Sequence, residues 1–222
     1  MMKIKKIAMQ LCLSSAVLAA MPAFAAEVAQ SSAQHYMVKN LNIGDLPVKT
    51  IVPITAKTAE QAIAQAQVIA SNPNADVAEF RIDLLEFSAD TQKVIALGQQ
   101  LNQILKEKPL IATIRTHNEG GKMTVSDQDY EKIYSDYLKK PFMQLLDIEM
   151  FRDVGSITKL IKLAHNKNVL VIMSNHDFAK TPEQQDIENR LLKQDQMGAD
   201  ILKIAVMPKS KQDVFTLMNA TL

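Results

Sequence analysis

Cysteine is nearly absent from this chain. Cys12 is the only one in 222 residues, so no internal disulfide can form. Strong charge of either sign is also lacking. The formal net charge is +1, which removes any bulk electrostatic case for nucleic acid or a membrane surface as partner. Glycine is sparse, at six residues, and neither G-x-G-x-x-G nor a phosphate-cradling P-loop occurs. Histidine is scarce too. With four in the chain and no second imidazole at ligand spacing, Asp147 and Glu149 do not read as a metal site. No cofactor or metal is expected.

What charge there is lies unevenly. The first 25 residues hold Lys3, Lys5 and Lys6 and no acid. An apolar run follows to about Met21, then the small-x-small triplet Ala23-Phe24-Ala25. This pattern reads as a secretory signal, residues 1–25, with cleavage after Ala25. The run is short for a membrane anchor. Removing three lysines from 25 basic residues leaves 22 against 24 acidic ones, a net of −2. Cys12 leaves with the leader, so cysteine nucleophiles and thiolate metal sites are excluded. A periplasmic or secreted location is expected, and a thiol-free chain suits an oxidising compartment. Residues 26–48 show little periodicity and read as a loose lead-in.

From residue 49 onward the chain alternates. Apolar strand-like stretches start near 49, 76, 109, 143, 169 and 201, each followed by a helical pattern. One unit about every 30 residues is the period of a βα repeat. Caps mark the helix starts at Thr58, Asp90, Ser126, Ser156, Thr181 with Pro182, and Ser210. Residues 49–222 therefore form one α/β domain.

The strands choose between an open doubly wound sheet and a closed barrel. Side chains two apart in a strand share a face. Glu79, Arg81 and Asp83 fall together, against Phe80, Ile82 and Leu84. Thr113 and Arg115 share a face, as do Asp147 and Glu149, and Ser174 and His176. Lys203 stands against Leu202 and Ile204. In a doubly wound sheet both faces meet helices and such charges are stranded. In a barrel the polar face looks into the lumen, where acids and bases can pair. The fold class is therefore a (β/α)8 TIM barrel, with about six of eight βα units present.

Active sites of such barrels lie at the carboxyl ends of the strands. Lys203 is either an ordinary ion-pairing lysine or a nucleophile. An apolar setting with cationic neighbours favours a neutral amine, which can attack a ketone to form an imine. His176 lies one strand away on the same face, as base or as a satisfied core histidine. Glu119 can orient its imidazole or solvate a turn. Arg115 can grip a carboxylate, or pair with Glu79, Asp83, Asp147 or Glu149. His35 and His165 read as surface residues, and His117 stays ambiguous near a strand end.

The strings EFRID (79–83), TIRTHNEGG (113–121), LLDIEMF (145–151), VIMSNHDFAKTP (171–182) and GADILKIAVMPKSKQDV (198–214) resemble type I 3-dehydroquinate dehydratase. The resemblance runs from about residue 49 to the end. It implies a barrel that dehydrates 3-dehydroquinate to 3-dehydroshikimate through a lysine Schiff base. It makes Lys203 the imine-forming residue, His176 the proton-transferring one and Glu119 its partner. Arg115 would contact substrate. Glu79 and Arg81, with Phe80 between them, would line the substrate pocket. A homodimer is in keeping with the family. Two departures accompany the match. Pro53 stands where members often have a serine. The sequence also ends at Leu222, within the sixth helix, so that two further βα units bearing an Arg and a Ser/Gln closing loop are expected to be lacking. A catalytically inactive, C-terminally truncated remnant or ligand-binding fragment is the alternative reading, and another imine-forming barrel such as a class I aldolase is a weaker one.

Overall fold

The computed structural model describes residues 34–222. The signal reading of residues 1–25, and the lead-in as far as residue 33, lie outside the described residues. A short antiparallel hairpin comes first, β1 (Tyr36–Val38) and β2 (Leu41–Ile43). Six parallel strands follow: β3 (Ile51–Ile54), β4 (Val77–Arg81), β5 (Leu110–Thr113), β6 (Leu145–Glu149), β7 (Leu170–Asp177) and β8 (Ile201–Val206). They lie side by side in chain order, β3 to β8. Six helices alternate with them: α1 (Ala59–Ser71), α2 (Thr91–Leu105), α3 (Asp127–Lys139), α4 (Val154–His165), α5 (Gln184–Gln196) and α6 (Lys211–Ala220). The expected strand starts all lie within about two residues of the observed ones.

Most helix starts follow the expected caps. The side chains of Thr58, Asp90, Ser126 and Ser210 each accept from a backbone N–H in the first turn, and Ser210 completes a capping box with Asp213. Two starts differ. Asp153, not Ser156, caps α4, accepting from the Ser156 N–H, because its carboxylate reaches the free donor one turn ahead. The Ser156 hydroxyl donates to Glu131 instead. Helix α5 begins after Glu183, beyond the expected Thr181–Pro182 signal.

The sheet is curled, not flat. Strands about 4.8 Å apart would put β4 and β8 about 19 Å from one another in a flat sheet. Lys203 Nζ on β8 nevertheless lies 3.4 Å from Glu79 Oε1 on β4. The sheet therefore bends into a half-barrel whose concave face is the lumen. Its convex face carries the main apolar core, where Phe80, Ile148 and Met173 meet helix residues such as Val94, Leu101, Tyr134 and Leu160. Pro53 sits on the outer strand β3, where its lack of an N–H is tolerated.

The lead-in is not loose between residues 36 and 43. Val38 of the hairpin packs with Val77, Ile111, Leu145 and Ile172, and Leu41 and Ile43 add to that cluster. These four sheet residues lie on the inward face, each two positions before a polar one. The lumen is thus apolar at the amino ends of the strands, where the hairpin plugs it, and polar at the carboxyl ends. Lys39 turns the hairpin with φ of 53° and donates to Asn102 Oδ1 at 2.8 Å and to the Lys108 carbonyl at 2.9 Å. Three-residue strands are too short to show alternation in sequence, which is why the hairpin was not legible.

Candidate active site

Strand parity delivers the polar residues to one place. Glu79, Thr113, Asp147, Ser174 and Lys203 form one ring around the lumen. Arg81, Arg115, Glu149 and His176 stand one step nearer the carboxyl ends. The ring is knitted by short contacts. Lys203 Nζ donates to Asp147 Oδ2 at 3.0 Å and to Glu79 Oε1 at 3.4 Å. Thr113 Oγ1 donates to the same Glu79 oxygen at 2.9 Å. Ser174 Oγ donates to Asp147 Oδ1 at 2.6 Å.

Arg115 is the hub. Its Nη2 donates to Asp147 at 2.8 Å, and its Nη1 reaches Ser174 at 2.9 Å, Glu149 at 3.2 Å and Glu119 at 3.4 Å. The side chain is 4% exposed. Of the two readings given for Arg115, the ion-paired one is present in the structure, with Glu119, Asp147 and Glu149 as partners. Burial alone would weaken its charge, but Asp147 and Glu149 raise its affinity for the proton. Asp147 is fully buried, which would push its carboxyl up; Arg115, Lys203 and the Ser174 hydroxyl outweigh that and hold it at about 2. Glu149 goes the other way. Its burial raises it, against the Thr116 hydroxyl and N–H, which both donate at 2.7 Å. The end of β5 is tied to β6 by Tyr134, whose buried hydroxyl accepts from the Ile114 N–H at 2.8 Å and donates to the Asp147 carbonyl at 2.7 Å.

His176 lies on β7, two residues beyond Ser174, the register partner of Lys203 on β8. One strand spacing and two residue rises put their backbones about 8 Å apart on the same face. The imidazole Nδ1 lies 2.9 Å from Glu119 Oε2, and its ring stacks on Phe178 at 6.0 Å and 14°. Glu119 sits in a single helical turn, His117–Glu119, that follows β5. Two glycines let that turn close. Gly120 has φ of 79°, and a Cβ on Gly121 would stand 1.9 Å from the Arg115 carbonyl oxygen. An acceptor on Nδ1 leaves Nε2 as the free ring nitrogen, the arrangement a general base needs.

Two expectations need correction. Lys203 is not in an apolar setting with cationic neighbours; its amine faces two carboxylates. Phe80 does not line the lumen. It is fully buried on the convex face, edge-on to Phe142 at 6.4 Å, because its parity is opposite to that of Glu79 and Arg81. Arg81 is engaged by Asp83 through two contacts of 2.9 Å. His117 and His165 are exposed, and His165 pairs with Asp200 at 2.8 Å. Among the described residues no cluster of His, Cys, Asp and Glu could hold a metal. One contributor was not visible beforehand. Gln194 on α5, fully buried, accepts from the Lys203 N–H and donates to its carbonyl, both at 3.0 Å.

A family model described as type I 3-dehydroquinase matches residues 50–222. The chain belongs to the type I 3-dehydroquinase family. A catabolic 3-dehydroquinate dehydratase from Acinetobacter baylyi is 79% identical over 192 residues, which cover 86% of this chain and 71% of that one. The solved 3-dehydroquinate dehydratase of Enterococcus faecalis superposes with a TM-score of 0.81 at 41% identity, over 84% of this chain and 77% of that one. A type I enzyme of Clostridium difficile, solved with covalently modified comenic acid, gives 0.82 at 34%, over 85% and 74%. These neighbours carry the type I 3-dehydroquinase barrel, and the six curled strands of this family member follow it.

The opposed behaviour of Asp147 and Glu149 fixes an acid-pH expectation. A carboxyl held below its ordinary value of about 3.9 contributes stability above that value and loses it as pH falls toward the folded-state value. Asp147 therefore contributes above about pH 4, and that contribution fades toward its value of about 2. Glu149 has the opposite sign, its ionisation working against folding as pH rises through its raised value. Urea midpoints measured from pH 2 to 7 should show Asp147→Asn less stable by about 3–5 kcal/mol at neutral pH, with a flatter acid limb. An acid limb identical to the parent's would contradict this assignment.

Proposed function

We propose that the chain dehydrates 3-dehydroquinate to 3-dehydroshikimate through an imine on Lys203. Family membership supports the reaction, as do relatives named for it. The single observation that carries the mechanism is the placement of an amine and a carboxylate-held imidazole on adjacent strands and on the same face of the sheet. The Lys203 ammonium gives up a proton, its neutral amine attacks the substrate ketone, and the carbinolamine oxygen takes up that proton and one from the nitrogen and leaves as water, giving an iminium. The positive charge stays between Asp147 and Glu79, the two carboxylates that now hold the ammonium. They compensate the cation before and after imine formation, so the electron-withdrawing group is stabilised where it is needed.

His176 Nε2 then takes the proton from the carbon next to the imine, and the electron pair moves into an enamine. The same imidazole returns its proton to the leaving hydroxyl, which departs as water. A second water hydrolyses the product imine and restores the amine, so the net change is loss of one water. Glu119 on Nδ1 stabilises the transient imidazolium. Glu79 and Arg81 line the pocket around the ring. Arg115 supports it from below by fixing Asp147, Glu149 and Glu119. The covalent ligand in the Clostridium difficile relative is in keeping with a covalent mechanism.

Borohydride added with 3-dehydroquinate should leave a stable adduct on Lys203, found by peptide mass spectrometry. Lys203→Met should take up none. Unmodified parent protein after such treatment, despite turnover, would overturn the imine mechanism.

The 79% identical relative is named catabolic, which supports placing this reaction on a degradative route. Growth on a quinate-type carbon source should raise the amount of the protein severalfold over growth on glucose. Equal amounts under both conditions would argue for a biosynthetic role.

A further inference from the structure

Asn175 is out of place on its face of β7. Its neighbours Ser174 and His176 point into the lumen, so Asn175 points outward, into the layer where Val171 and Met173 are apolar. It is only 3% exposed. A buried amide needs partners, and Asn175 has one on each side. Arg190 Nη1, from α5, donates to Asn175 Oδ1 at 2.8 Å. Asn175 Nδ2 donates to Glu119 Oε1 at 3.4 Å. The other oxygen of that carboxylate, Oε2, takes the imidazole of His176.

The chemistry of the donors gives this chain a direction. A guanidinium has donors and no acceptor. With Arg190 in place, only the amide oxygen can face α5, so the NH2 group must face Glu119. Without it, either face of the amide can turn to the carboxylate, and the oxygen-first orientation repels it. A cavity of about 250 Å³, lined by Glu119, Asn175, His176 and Arg190 among others, gives the amide room to turn. We propose that Arg190 is a positioning residue for His176: by fixing the orientation of Asn175 it orients Glu119, and so holds the imidazole in its Nδ1–H form with Nε2 free toward the lumen. The remaining charged groups around this relay are Arg115, which reaches Glu119 at 3.4 Å, Glu149 beside it, and Asp177, 3.9 Å from Arg190. Arg190 also lies over the Phe151 ring at 5.9 Å, which keeps its stem in place.

The inference rests on the reading of His176 as the proton-transferring group, and two readouts keep them apart. Nitrogen-15 NMR of the full chain reports the ring tautomer of His176 whether or not substrate is turned over. In the parent, at a pH where the ring is neutral, its two nitrogens should be widely separated in shift, as one tautomer requires. In Arg190→Met the separation should shrink toward that of a tautomer mixture. Arg190→Lys, which still donates to the amide oxygen, should restore it. In the assay, kcat of Arg190→Met should fall roughly tenfold with KM little changed. Arg190 is a partly exposed helix residue, so circular dichroism should show an intact fold. Unchanged ring shifts in folded Arg190→Met would overturn the relay. Lack of turnover by the parent would count against the dehydratase reading alone.

Discussion

Everything in this half-barrel depends on one buried compensation, the grip of Asp147 on two cations. Arg115 takes one of its oxygens and Lys203 the other. A fully buried carboxylate is tolerable only when its lone pairs and charge are met. Here groups from three other parts of the sheet meet them: Arg115 just beyond β5, Ser174 on β7 and Lys203 on β8, all on the concave face. The pairing draws β8 toward β6 and β4, and so helps set the curl. It also fixes where the only inward lysine of β8 presents its amine.

The same compensation shapes the chemistry. A lysine between two carboxylates is a poor free nucleophile, but an imine on that nitrogen carries the same positive charge. A site built to hold a cation at Lys203 therefore suits the intermediate at least as well as the resting amine. The imidazole is supported separately, by Glu119 from a glycine-closed turn and by ring stacking on Phe178. The two halves share Arg115, which touches both Asp147 and Glu119, so the electrostatics of amine and base are linked through one guanidinium.

Much of this was legible in the sequence, because alternation in a strand is a strong geometric rule. The charged residues of EFRID, LLDIEMF and ILKIAVM declared a polar inner face and hence a curl. Helix caps with a free hydroxyl or carboxylate at the first turn were readable for the same reason. What was not legible came from contacts distant in sequence. The hairpin at Tyr36–Ile43 is defined by what it covers, not by its own pattern. Lys203 looked desolvated in a linear string, since its carboxylates come from strands β4 and β6. Phe80 was assigned to the pocket by its place in a motif, although its parity sends it to the core. Gln194 and Arg190 lie on a polar helix, and nothing local marks them off from their solvent-facing neighbours.

The central claim is that Lys203 and Asp147 interact directly across the lumen. A double-mutant cycle with Lys203→Met and Asp147→Asn, measured by denaturant unfolding at neutral pH, tests it most directly. The account predicts a coupling free energy of about 1–3 kcal/mol. Additive effects of the two substitutions, with coupling near zero, would mean that the amine is not where this arrangement requires it.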